Sequence, residues 1–203
     1  MSFIAPSQGV RRWNHQTSYF QRGTNPVERW YALGVQNQTA FSILAVTSNN
    51  LRARPFSISK PITLDRLSFE VTTGGGAGSK ARCGLYNATS LKNLYPSSLI
   101  VDGNEFDTTV GNEGNKASTI AVTLSPGTYW FAYLAGTTGP SVRTLSAGGR
   151  EASGMAVDNT LSQMWLQIVL SFTYAALPST FPGGATAEVS ASRMPVIFGR
   201  ASA

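Results

Sequence analysis

Glu105 and Asp107 are the carboxylates whose spacing comes nearest to that of a catalytic pair. Being two residues apart, they could share one face of a strand. A glycosidase holds two carboxylates about 5–10 Å apart on rigid elements that flank the sugar. The local sequence VDGNEFDTT is rich in Gly and Asn and predicts a connection between strands. We therefore expect two solvated acids here and no catalytic centre.

Metal-ligating residues are scarce in this sequence. One histidine and one cysteine cannot supply a transition-metal site. Oxygen ligands for calcium are conceivable at Asp102, Asn104 and Asp107, but their spacing lacks the full acidic loop pattern. We expect neither a metal nor a cofactor.

The candidate nucleophile, Cys83, stands alone. It alternates with Leu85 in a predicted strand, which indicates a small buried apolar side chain, and His15 lies in a different segment. The glycine-rich stretch 74–78 lacks the Lys-Ser/Thr pair that completes a phosphate-binding loop. Together these features predict a protein that is not an enzyme.

The elements that would position any site are short β-rich runs separated by turn residues. Such runs, spaced by roughly 10–20 residues, are typical of sandwiches and barrels. We predict an all-β, jelly-roll-like antiparallel β-sandwich over residues 40–203, preceded by an extended N-terminal arm over residues 1–39. The main predicted strands are AFSILAVTS from residue 40, LDRLSFEV (64–71), ARCGLYN (81–87), YPSSLIV (95–101), STIAVTL (118–124) and YWFAYLA (129–135).

Two local patterns add detail to the predicted sandwich. Ile62 and Leu64 share one strand face, but the apolar residues that follow Arg66 are out of phase by one, which predicts a β-bulge at Asp65–Arg66. The run YWFAYLA is apolar on both faces and predicts a central strand covered on both sides, with the opposite sheet as one cover and a neighbouring subunit as a candidate for the other. The predicted structural core is Leu67, Phe69, Leu85, Leu124, Tyr129, Trp130 and Phe131.

Four other segments carry predictions. Residues 74–79 predict a flexible hairpin connection, and residues 136–160 predict a long loop. Residues 161–174 fit a strand or a helix, and the all-β context favours the strand. MPVIF (194–198) predicts a closing strand, which its proline places at an edge.

Charge is sparse in this chain. Only 13% of residues are charged, about half the usual share, so the surface is either largely subunit interface or made of ordinary Thr-rich strand faces. The net charge of +6 comes from twelve arginines and four lysines that form no basic run. A nucleic-acid partner is therefore not expected.

The first thirty residues hold aromatic side chains among arginines and show no periodicity. A purely disordered tail would be poor in aromatics, so this arm either docks on another surface or packs on its own domain. The predicted arm interface is Arg11, Arg12, Trp13, Tyr19, Phe20, Arg22 and Trp30.

The N-terminal stretch MSFIAPSQGVRR lacks the apolar centre of a secretory leader. The sequence contains no run of 18 apolar residues, so no membrane span is predicted. We expect a soluble protein made in a reducing compartment, the cytosol.

The strings ITLDRLSFEVTTGGGAGSKARCGLYN, LYPSSLIVD and LSPGTYWFAYLA carry a family resemblance. In order and spacing they resemble a β-sandwich module of tailed-bacteriophage structural proteins, described as tail fibre, head fibre or minor virion proteins. The resemblance covers about residues 40–200 and leaves the arm uncovered. The matching positions are Leu64, Asp65, Arg66, Gly84, Tyr86, Tyr95, Pro96, Leu99, Gly127, Tyr129 and Trp130.

This resemblance implies a non-enzymatic virion protein that is made in the cytoplasm of a host bacterium. Its first implied place is the tail or adsorption apparatus, and the alternative is a decoration protein on the capsid exterior. The implied partners are other virion proteins, a host surface polysaccharide or receptor, and further copies of the chain, as a trimer by analogy with fibres. The rival hypothesis is a carbohydrate-acting enzyme or a free lectin.

Overall fold

The computed structural model describes residues 29–32, 41–89, 94–145, 167–188 and 195–202. Within these ranges the chain forms twelve strands and no helix, arranged as two antiparallel sheets. The predicted all-β sandwich is therefore confirmed. The first sheet contains β1 (Arg29–Ala32), β2 (Phe41–Ala45), β4 (Ile62–Thr73), β7 (Gly114–Leu124), β9 (Ser141–Leu145) and β12 (Phe198–Ala201). The second sheet contains β3 (Asn50–Ile58), β5 (Lys80–Ala88), β6 (Pro96–Asp107), β8 (Gly127–Ala135), β10 (Gln167–Ser171) and β11 (Thr186–Glu188).

The long strand β4 organises the first sheet. Strand β7 pairs with β4 from Ile62 to Val71, while β12 pairs from Leu64 and β9 pairs at Val71 and beyond. Since both overlap β7 in register, β12 and β9 must lie one after the other on the opposite edge of β4. Strand β1 pairs with β12 and β2 pairs with β9. Strands β1 and β2 therefore follow each other along one outer edge of this sheet.

The predicted bulge in β4 is confirmed. In the pairing with β12, the single step from Arg200 to Ala201 is matched by two steps on β4, from Arg66 to Leu64, so Asp65 is the inserted residue. The pairing with β7 shifts register at the same place. Because of this insertion, Leu64 and Leu67 are both fully buried although they lie three positions apart, a spacing that would place them on opposite faces of a regular strand.

Strand β8 lies in the middle of the second sheet, between β3 and β5. Its Phe131 side packs into the core between the two sheets. Its Trp130 side packs under a second apolar cluster that includes Leu177 and Phe181. The prediction of a central strand with two covered faces is confirmed. The prediction that a neighbouring subunit covers the second face is wrong, because segments of the same chain close over it.

Six of the seven predicted core side chains are buried. Leu67, Phe69, Leu85, Leu124 and Phe131 lie between the sheets, and Trp130 lies in the second cluster. Tyr129 is the exception, since it is only partly buried. It lies near the start of β8, where its hydroxyl donates to the carbonyl of Ser125 at 2.9 Å.

The structure corrects three connections. Residues 74–79 are not a hairpin, because they pass from β4 in the first sheet to β5 in the second. The predicted loop 136–160 contains β9. The closing strand lies at Phe198–Ala201, between β1 and β4 and not at an edge, while Pro195 forms only an isolated bridge to Thr144.

The strand preferred for residues 161–174 is confirmed over Gln167–Ser171, whereas residues 172–174 lie beyond its end. Residues Gln167–Ser171 form β10, which pairs with β3 on one side and β11 on the other. Residues 161–166 lie outside the described part of the chain.

The described chain ends lie together at one end of the sandwich. Arg29 pairs with Ala201, and Ala201 pairs with Leu64 near the start of β4. Strand β4 runs from there to Thr73, roughly 30 Å away at the usual rise per residue. At that far end lie the connections 74–79, 108–113 and 136–140, which we call the tip.

Candidate functional site

The two acids that came nearest to a catalytic pair lie on strand β6 and not in a loop, which corrects the prediction. Glu105 forms an ion pair with Lys80 at 2.5 Å and accepts a hydrogen bond from the Tyr174 hydroxyl at 3.2 Å. The Lys80 hydrogen bond is the main reason that the pKa of Glu105 is lowered. Asp107 accepts hydrogen bonds from the amide and hydroxyl of Thr109, which lower its pKa. A general acid needs a raised pKa, so this pair is not arranged for acid catalysis.

Asp102, considered as a calcium ligand, is bonded within the protein. Its Oδ2 accepts from Arg82 at 3.0 Å and from the amide of Leu177 at 3.0 Å, while its Oδ1 accepts from the amide of Asn104 at 2.9 Å. These bonds join β5, β6 and the segment that covers the second cluster. In the described ranges, no three His, Cys, Asp or Glu side chains are grouped to hold a metal ion.

Cys83 is fully buried in β5, as its alternation with Leu85 predicted. Burial raises the pKa of the thiol to about 12. The thiol therefore stays protonated at neutral pH, where only the thiolate would act as a nucleophile.

The feature that stands out is a row of exposed apolar side chains on the outer edge of the first sheet. Trp30 on β1 is 41% exposed, and Phe41 and Ile43 on β2 are each 53% exposed. Ile43 lies directly opposite Arg143 in the pairing with β9, and Trp30 lies opposite Arg200 in the pairing with β12. Opposed residues point to the same side of a sheet, so Ile43 and Trp30 each lie beside an arginine, whereas Phe41 lies opposite Leu145. We call Trp30, Phe41 and Ile43 the edge surface.

Both arginines beside the edge surface are held in bidentate ion pairs. Arg143 donates to both carboxylate oxygens of Glu70 at 3.1 and 2.9 Å, and Arg200 donates to both of Asp65 at 2.8 Å. These hydrogen bonds are the main reason that the pKa values of Glu70 and Asp65 are lowered. The Arg200 guanidinium also lies 5.7 Å from the Trp30 ring centre. The edge surface is thus apolar, with neutralised and geometrically fixed charges around it, which suits a protein–protein contact.

Only Trp30 of the seven predicted arm residues falls within the described ranges. It belongs to β1, which pairs with β12, so this part of the arm packs on its own domain. The ring nevertheless remains partly exposed and forms one end of the edge surface. Arg11, Arg12, Trp13, Tyr19, Phe20 and Arg22 lie outside the described residues, and their docking role stays a prediction.

Sequence reasoning missed a buried polar cluster between the sheets. Arg52 and Arg54 are almost fully buried on β3. Arg52 Nε donates to Glu188 Oε2 at 3.1 Å, and Arg54 Nη2 donates to Gln167 Oε1 at 3.3 Å. Gln167 Nε2 in turn donates to Glu188, so the cluster ties β3 to β10 and β11.

A signal for that cluster was present in the run NLRARPFSI. Phe56 and Ile58 occupy the same strand phase as the two arginines and face the core between the sheets. Strand alternation, taken without regard to charge, would therefore have placed both arginines on the inward face. Their charge made an outward face the ordinary reading, because Arg is seldom fully buried unless it is paired.

The tip is cross-linked by backbone hydrogen bonds. The amide of Gly75 donates to Thr108 at 2.8 Å, and the amide of Val110 donates back to Gly75 at 3.1 Å. The carboxylate of Glu113 accepts from the amide of Gly74 at 2.9 Å. Val110 is 73% exposed on this framework, so the tip presents an apolar side chain from a fixed backbone.

Comparisons with known proteins give little that bears on this surface. No protein-family model matches the chain, and no curated protein matches it significantly. Three chains of solved structures match. One contains the cysteine protease and lectin-like domains of Cwp84, a surface-layer-associated protein of Clostridium difficile, with 11% identity and a TM-score of 0.42. The match covers 82% of this chain but 37% of that one, and a likeness this distant carries no argument about function.

The described residues form no helix that is long and apolar enough to cross a bilayer.

Proposed function

We propose that this protein is a non-enzymatic bacteriophage structural protein, displayed on the particle surface as part of the tail or adsorption apparatus. The alternative location is the capsid exterior, as a decoration protein. The observation that carries the proposal is the edge surface, where Trp30, Phe41 and Ile43 are exposed along one sheet edge. Exposed apolar groups that line up in this way are typical of surfaces that contact other proteins. The resemblance over residues 40–200 supplies the phage context.

The N-terminal end and the tip lie at opposite ends of the sandwich, which supports attachment to the particle at the first and display of the second. Strand β1 begins at the end where Arg29, Ala201 and Leu64 meet, so the preceding residues enter the sandwich there. Those residues contain the arginines and aromatics that are common in interface hot spots. The tip lies roughly 30 Å away, at the other end of β4. A partner bound by the N-terminal segment would leave the tip accessible to solvent.

Self-association is part of the proposal. The sequence offers two reasons for it, the low charge of the chain and the two apolar faces of β8, and the second no longer holds because the second cluster covers that face. The edge surface replaces it as the reason, since it is apolar and exposed on the described chain. Light scattering of the isolated protein, from micromolar concentration upward, should show a mass that rises from 21.6 kDa toward a multiple of it.

Co-purification with phage particles tests the virion role. The protein should remain on washed particles at a fixed stoichiometry. A variant that lacks residues 1–28 keeps β1, so it should fold and stay soluble but no longer join particles. Normal incorporation of this variant would show that the anchor lies elsewhere.

The rival hypothesis is tested on the same preparation. The isolated full-length protein is incubated with host surface polysaccharide, and released reducing sugar is measured. Sugar release at a catalytic rate, with no protein on washed particles, would replace the structural role with a carbohydrate-acting one.

A further inference from the structure

Strand β2 differs from the other outer strands of the described sandwich. Natural edge strands are usually protected from pairing by charge, proline, bulges or shortness. Strand β2 (FSILA) has no charged residue and no proline, and it pairs with β9 in one unbroken register over all five residues. The other outer strands are protected: β1 carries Arg29, β6 carries three acids and register shifts, β7 carries Lys116, and β11 has three residues including Glu188.

We propose that β2 pairs antiparallel with β2 of a second copy of this chain, about a two-fold axis that passes beside Ile43. In that register Ile43 lies opposite Ile43 of the second copy, Phe41 lies opposite Ala45, and Ser42 lies opposite Leu44. The largest side chain of the strand thus faces the smallest apolar one, so opposed side chains on the outer face fit without crowding. The pairing also brings the exposed Phe41 and Ile43 of both copies into lateral contact as one continuous apolar patch.

Charge does not oppose this contact, although the chain carries +6 overall. The nearest described charge on the outer face is Arg143, one strand behind β2 and already paired with Glu70. In the pair of copies, the two Arg143 residues are separated by three strand spacings, roughly 14 Å. That distance exceeds the Debye length of about 8 Å at physiological ionic strength.

The geometry also sets the size and strength of the assembly. A two-fold contact uses the same edge of both copies and closes at two, so it predicts a dimer in place of the trimer expected by analogy. A five-residue ladder buries less than the roughly 1,200 Å² of a stable interface. The dimer is therefore weak in dilute solution and strengthens where copies are held close together.

Disulfide trapping of the isolated protein tests the pairing. The native thiol, Cys83, is fully buried, so any disulfide between copies should form at the introduced surface cysteine. Ile43→Cys places two thiols opposite each other across the two-fold axis, and Val110→Cys is the matched control at an exposed site on the tip. Under mild oxidation, Ile43→Cys should form covalent dimers at least about tenfold faster than Val110→Cys, because pairing raises its effective concentration. Equal rates would overturn the proposal.

A second set of variants tests the register. A mixture of Phe41→Cys and Ala45→Cys should give mostly mixed dimers, since these positions face each other only across different copies. If Phe41→Cys alone links as fast as Ile43→Cys, the strands are not antiparallel about Ile43 and the proposal is wrong. Circular dichroism of each variant checks that the fold is retained. The trapping experiment needs no phage particles. A failure of the strand pairing can therefore be distinguished from a failure of the virion role, which particle incorporation tests.

Discussion

Trp130 and Tyr129 are neighbours on β8, and strand alternation gives them different environments. Trp130 points into the second cluster and is 1% exposed. Tyr129 points toward the core between the sheets at the margin of that core and is partly buried. Trp130→Ala should lower the free energy of unfolding by roughly 3–5 kcal/mol, because a large buried ring leaves a cavity. Tyr129→Ala should lower it distinctly less, as measured by urea unfolding, and an equal loss at both positions would contradict this placement of β8.

Asp65 and Glu70 should make the free energy of unfolding depend on pH in the acid range. Ion pairs with Arg200 and Arg143 hold their folded-state pKa values below the ordinary values of 3.8 and 4.5. The fold therefore favours the ionised carboxylates, and this contribution is fully present above the ordinary pKa values. It is lost as pH falls below them and through the lower folded-state values.

The urea midpoint should accordingly fall as pH is lowered from about 6 to about 3. A double variant, Asp65→Asn with Glu70→Gln, should show a shallower fall because it removes both titrating groups. If the double variant and the native protein lose stability in parallel across this range, these two ion pairs do not contribute to the pH dependence.

Strand positions were predicted correctly from the sequence where apolar residues alternate, and the prediction failed where they do not. In β7, Ile120, Val122 and Leu124 alternate with Thr119, Ala121 and Thr123, and the three larger apolar side chains are buried in the core between the sheets. Strand β9 (SVRTL) was missed because Val142 is its one apolar inward residue whose burial is described. The passage of residues 74–79 between sheets could not be predicted, because local sequence does not encode which distant strand each neighbour pairs with.

Gly75 tests whether the tip is a fixed element. A Cβ at this position would lie 2.0 Å from the Thr138 carbonyl oxygen and 2.7 Å from the Ser79 Cβ. Gly75→Ala should therefore lower the free energy of unfolding by about 1–3 kcal/mol, because the connections must move apart. Gly183→Ala is the matched control, since a Cβ there meets nothing within 4 Å. A neutral Gly75→Ala variant in thermal or urea unfolding would mean that the tip is loosely packed.

At the scale of the whole molecule, the sequence predicted the sandwich and its apolar central strand but not what covers that strand. The covering side chains, Leu177 and Phe181, follow β8 by more than forty residues in a turn-rich segment. Their folding back over Trp130 is a long-range contact, and local periodicity carries no information about it. The edge surface was missed for a related reason. The sequence predicted a strand at β2, but not that its pairing with β9 at the outer edge of the sheet leaves Phe41 and Ile43 exposed.

The tip and the N-terminal end lie at opposite ends of the sandwich, so display on a virion can be tested by imaging a label on the tip. Val110→Cys places a thiol on the tip, and the buried Cys83 should not compete for a thiol-reactive gold label. Electron microscopy of labelled, washed phage particles should show gold at fixed sites on the outer surface, on the tail or on the head exterior. Particles with the native protein should stay unlabelled. Intact particles that contain the variant but bind no gold, or washed particles that lack the protein altogether, would contradict the account.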